Sequence, residues 1–106
     1  MHQNYNKLVR DRIPEIIHQA GQECEVQVMS EAEYHQALRD KLIEEAQEAA
    51  EATAQDLVKE LADLYEVIDA LCAACEIERF SILAEQEKRR SERGGFDQRF
   101  RLLWTQ

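Results

Sequence analysis

A chain of 106 residues with 44% apolar content has room for one hydrophobic core, and a domain of that size buries only about two-thirds of its surface on folding. The formal net charge is −9, and a nucleic-acid polymer is not expected as a partner. No apolar run is long enough to cross a bilayer and the start, MHQNYNKLVR, has no apolar signal region, so no membrane partner and a cytoplasmic location are expected.

Only three Gly and one Pro interrupt a sequence rich in Ala, Glu, Leu, Gln and Arg, which predicts an all-α chain. Pro14 suits the first turn of a short helix running to about Ala20, with Gly21 as terminator. Residues 23–29 alternate briefly through Cys24, Val26 and Val28, as a short strand or an extended link would. Ser30 and Glu33 form a capping box, predicting a long helix from about 31 to 53. Asp56 is a fair N-cap for a second long helix at about 57–76, whose Leu57, Leu61, Leu64, Ile68, Leu71, Cys72 and Cys75 recur at helical spacing. A third helix is expected over about 79–92, ending at Gly94-Gly95. The tail FDQRFRLLWTQ carries apolar residues enough to dock on this chain or on a partner.

Charge is segregated along the chain. Residues 1–12 and 88–106 together hold nine basic and three acidic residues, whereas residues 13–87 hold four basic and nineteen acidic. An acidic middle between basic ends suits an anionic ligand carried on cations; a solvated acidic surface with basic tails is the plainer reading.

Two acidic motifs stand out, Glu44-Glu45-Ala-Gln-Glu48 and Glu60-Leu-Ala-Asp63. On a wheel of about 100° per residue, with Leu38 at the centre of the apolar stripe, Glu45 falls about 20° from that centre and Glu48 about 80°, with Glu44 farther out. On the second helix, with Leu57 as centre, Glu60 lies about 60° away and Asp63 about 120°. Glu45 therefore faces the core, and Glu60 borders it. A buried unpaired carboxylate costs several kcal/mol, and four side by side also repel one another. Bound cations remove both penalties, whereas acids on long helices otherwise face water. In an antiparallel hairpin turning near 54–55, Glu48 and Glu60 share one level, with Glu45 and Asp63 about one turn deeper. All-oxygen ligation favours Mg²⁺, or Mn²⁺, over zinc.

Glu-Glu-x-x-Glu followed by Glu-x-x-Asp resembles the all-α nucleoside triphosphate pyrophosphohydrolases, the MazG-like superfamily, which includes the phosphoribosyl-ATP pyrophosphohydrolases. The segment Tyr5-Asn-Lys-Leu-Val-Arg-Asp-Arg-Ile-Pro-Glu-Ile-Ile17 and Arg93-Gly-Gly-Phe96 are similar to a small house-cleaning subgroup, so the likeness covers most of residues 1–106 as one domain. The resemblance implies cleavage of a nucleotide's α–β phosphoanhydride to a monophosphate and pyrophosphate, with Glu45, Glu48, Glu60 and Asp63 as Mg²⁺ ligands. Glu44 and Glu45 are the catalytic candidates, Glu44 as ligand to a second ion or as a group orienting water. Lys7, Arg10, Arg12, Lys88 and Arg93 are candidates for gripping phosphate, against surface ion pairing as the plainer role.

Cys72 and Cys75 have redox spacing but lie on the second helix's apolar side, so core packing is expected. His18 and His35 lack acidic or Cys partners at ligand spacing and are expected at the surface. Phe96, Phe100 and Trp104 are read as docking the tail into a core rather than stacking on a base. Two long helices cannot enclose a core alone, so an antiparallel hairpin with short flanking helices is expected to form a four-helix bundle across a dimer, or within a tetramer. Three functions are weighed: pyrophosphohydrolysis of nucleoside triphosphates, including non-canonical ones; the same chemistry on phosphoribosyl-ATP; and a non-catalytic helical-hairpin interaction protein.

Overall fold

The computed structural model describes residues 3–106. It contains four helices and, among the described residues, no strand: α1 (Ile13–Gln19), α2 (Glu31–Glu51), α3 (Leu57–Ala74) and α4 (Arg79–Arg93). Pro14 lies in the first turn of α1, where a missing N–H costs nothing. The helix ends in a Schellman motif: Gly21, at φ 82°, donates to the His18 carbonyl, and Gln22 donates to that of Ile17. Residues 23–29 are the extended link rather than a strand. With no second strand to pair with, their alternation has nothing to build on.

The capping box at Ser30 forms in full. Its Oγ accepts from the Glu33 amide at 3.2 Å, and its own amide donates to Glu33 Oε1 at 3.0 Å. The acceptor bond holds the Glu33 carboxyl below the usual carboxylate range. Asp56 stands at the α3 N-cap, but its backbone is already helical and its side chain makes no capping bond. Instead, Thr53 Oγ1 reaches Asp56 Oδ2 at 3.5 Å within the turn. α3 stops two residues short of the expected end. A second Schellman motif closes it, with Glu76 at φ 56° and the Ile77 amide bonded to the Cys72 carbonyl at 2.8 Å. A non-glycine residue in that left-handed conformation is strained by about 1 kcal/mol.

α2 and α3 pack against each other as the hairpin, and this is the one extensive helix–helix contact among the described residues. Its core is small: Leu38, Val67 and Cys72, with Cys75 half-buried beside them and both cysteines unbridged. Core packing of Cys72 and Cys75 is what the wheel predicts. α4 has no buried residue. The tail does not dock on this chain: Phe96, Phe100 and Trp104 are 96%, 89% and 72% exposed. The chain is correspondingly open, with extents of 60 × 33 × 25 Å and a radius of gyration of 18.4 Å. A compact chain of this length has a radius of about 13 Å. Its accessible surface is 10123 Å², against about 6,100 Å² for a compact monomer of its mass. No helix of the described residues is long and apolar enough to cross a membrane.

Candidate metal centre

The hairpin brings three carboxylates together. Glu45 on α2 and Glu60 and Asp63 on α3 each present an oxygen within 4.8 Å of the others. The i,i+3 spacing puts Glu60 and Asp63 on neighbouring turns of one face, and the short turn after α2 sets that face opposite Glu45.

Glu45 is the deepest member, 8% exposed. Its Oε2 and that of Glu60 are buried with no hydrogen-bond partner. Native interiors rarely leave such atoms unmatched, and a group of three acids with two such oxygens could hold a cation. Burial pushes the Glu45 carboxyl above its usual range; the charges of Glu48 and then Asp63 push the same way, and Lys41 opposes them only in part. Lys41 Nζ stands 4.0 Å from Glu45 Oε1 and 3.7 Å from Glu44 Oε2, so one ammonium is shared between two acids. An oxygen-only donor set with two unmatched buried oxygens fits a hard divalent cation.

The other expected residues are distributed around this group. Glu48 is exposed and lies outside the three that meet, although near enough to Glu45 to raise its carboxyl. Of the expected ladder, Glu45 and Asp63 do meet, and Glu60 joins them. At about 80° from the stripe's centre, Glu48 is exposed overall, with its carboxyl beside that of Glu45. Glu44 is exposed and turned towards Lys41.

Of the basic candidates, Arg10 alone reaches the cluster, its Nη2 donating to Asp63 Oδ1 at 2.8 Å. Arg12 pairs locally with Glu15 at 3.0 Å. Lys7 lies over the Tyr5 ring, 5.7 Å from its centroid, and borders a cavity of about 140 Å³ with Asp40, Lys41 and Glu44. Lys88 is exposed on α4. Arg93 lines a separate open groove of about 810 Å³ with Arg89, Arg90, Gly94, Gly95 and Phe96. That groove shares no lining residue with the carboxylates or with the cavity beside Lys7.

Three features escaped the sequence reading. Lys41 sits one turn before Glu45, an i,i+4 spacing that was legible. His18 does have a cysteine partner: its Nε2 is 3.6 Å from Cys24 Sγ, brought there by the tight turn at Gly21. His35 lies 3.9 Å from Glu31, one turn away. Comparison with family models, with curated proteins and with solved structures finds no match for the chain.

Proposed function

We propose that the protein is a Mg²⁺-dependent nucleoside triphosphate pyrophosphohydrolase, hydrolysing the α–β phosphoanhydride to a nucleoside monophosphate and pyrophosphate, with non-canonical nucleotides among its substrates. The observation that carries this reading is the pair of buried, unpartnered oxygens on Glu45 and Glu60 within a three-carboxylate group. The motif likeness to the MazG-like enzymes supplies the reaction class. Glu45, Glu60 and Asp63 would hold the ion, and Glu48 would join them by turning inward. A bound Mg²⁺ would supply charge neutralisation at phosphate oxygens and a more acidic water. Glu44, exposed beside Glu45, would orient the attacking water, and a carboxylate not fully engaged with the ion would accept its proton. Arg10, bonded to Asp63 at the rim, and Lys7, bordering the cavity beside Lys41 and Glu44, would bind phosphate oxygens.

The active form is a homodimer or homotetramer in which two hairpins make a four-helix bundle. The excess of roughly 4,000 Å² of surface over a compact monomer supports this, since a standard interface covers only about 800 Å² per partner. The exposed stripe of Val58, Leu61 and Tyr65 on α3 offers the apolar face. The same exposed stripe favours, as the second reading, a non-catalytic hairpin that binds another protein.

Pyrophosphate release from a panel of canonical and modified nucleoside triphosphates and phosphoribosyl-ATP, with and without Mg²⁺, tests the assignment. Mg²⁺-dependent release from triphosphates is expected. Release from phosphoribosyl-ATP alone would redirect the substrate, and no turnover of any member would leave the interaction reading.

A further inference from the structure

The segment ahead of α1 lies against both helices that carry the acids. Asn6, with its backbone in the left-handed region at φ 48°, begins a stretch in which Asn6, Lys7 and Leu8 share a cavity with Ala37, Asp40, Lys41 and Glu44 of α2. Two residues farther on, Arg10 bonds to Asp63 of α3. Among the described residues this is the one ion pair that ties a sequence-distant segment to the carboxylate group.

Arg10 does not satisfy the cluster. With its guanidinium in place, the buried oxygens of Glu45 and Glu60 still have no partner; the arginine neutralises only the rim. The pair is also open to solvent, the two side chains being 57% and 34% exposed, and exposed pairs are weak. A guanidinium does not lose its proton, so the pair yields to competition for Asp63 rather than to deprotonation of Arg10. A doubly charged ion drawn by three carboxylates competes with it directly for Asp63.

We propose that Arg10 is the exchangeable counterion of this site: it holds Asp63 in the metal-free protein, is displaced when a divalent cation takes that carboxylate, and then turns its planar fork to a phosphate of the substrate. The last step rests on the pyrophosphohydrolase reading; the exchange itself requires only that the acids bind a cation. Arg10 thereby couples the two events, because the charge that metal binding releases is the charge that phosphate binding uses.

The test is calorimetric titration of Mn²⁺ alone, and then of pyrophosphate into the Mn²⁺-loaded protein, for the parent, Arg10→Gln and Arg10→Lys. Arg10→Gln is expected to bind Mn²⁺ about 2- to 5-fold more tightly than the parent, the span an exposed pair allows. It should bind pyrophosphate about 10-fold or more weakly, since a charged hydrogen bond is lost. Arg10→Lys should stay near the parent in the Mn²⁺ titration. In the parent, the Arg10 Nε–H resonance should move and narrow on adding Mg²⁺, a readout that survives if Arg10→Gln fails to fold. A merely structural arginine would lower stability but would not tighten Mn²⁺ binding. Unchanged or weaker Mn²⁺ affinity in Arg10→Gln, or an Nε–H signal indifferent to Mg²⁺, overturns the exchange alone. A parent that binds no Mn²⁺ overturns it together with the metal-dependent function. Exchange without hydrolysis of any nucleotide supports the counterion and ends the pyrophosphohydrolase reading.

Discussion

Replacing Glu45 by Gln changes charge and almost nothing else, which makes it a sharp test of why a carboxylate lies in the core. Its neighbours Glu60 and Asp63 are no more than 4.8 Å away. At an effective dielectric of about 20, each repulsion is then about 3.5 kcal/mol or more, and the attraction of Lys41 at 4.0 Å is about 4 kcal/mol. The balance is a net repulsion of order 3 kcal/mol. Solvent at Asp63, whose side chain is a third exposed, reduces it to roughly 1–2 kcal/mol. Metal-free Glu45→Gln should therefore melt roughly 5–10 °C above the parent. Saturating Mg²⁺ reverses the order: at a hundredfold excess over Kd the parent gains about 2.7 kcal/mol, while the variant, short of its central ligand, gains far less and loses hydrolysis. Calorimetric melts with EDTA and with Mg²⁺ read both effects. A metal-free variant less stable than the parent by more than about 1 kcal/mol, with Mg²⁺ shifting neither protein, would falsify the electrostatic reasoning and make Glu45 a structural residue.

Acidity should act on the metal-free protein through the same group. Because the folded state raises the Glu45 carboxyl above its ordinary 4.5, its contribution to stability is full below that value and is lost as pH climbs through the raised one. Urea midpoints in EDTA should accordingly fall over that window for the parent and stay flatter for Glu45→Gln; identical slopes would show that the raised carboxyl has no bearing on folding. The exposed Glu33, held low by its cap, acts with the opposite sign in both proteins and cancels from the comparison. Sedimentation should find a dimer or tetramer that Leu61→Asp dissociates; a parent that sediments as a monomer at all concentrations would remove the assembly from the proposal.

Local chemistry was legible to the residue. Ser30 and Glu33 announce their cap because both partners lie within four residues, and the wheel places Glu45 beside Leu38 because a helix fixes that angle. Leu38 is 2% exposed and Glu45 8%. Glu48 shows the limit: a wheel positions a Cα, whereas a long side chain near the stripe's edge is free to turn outward. The end of α3 was hidden for a different reason, since Glu76 adopts the conformation that Gly usually marks. Asp56 has the right residue type for a cap and the wrong backbone for it. The partner of Arg10 lies 53 residues away, and no period connects them. The tail's apolar residues predict docking, but nothing in their pattern says on what, and they find no seat on their own chain.

The turn between α2 and α3 has a consequence for the order in which the molecule acquires its parts. All three converging carboxylates lie within residues 45–63, in a hairpin closed by a turn of only a few residues. Contacts this local form fast, because little loop entropy opposes them. The acidic cradle can therefore assemble before α4 or the tail has found any place to rest. A cation captured at that moment would hold the two helices together while the remainder of the chain is still searching.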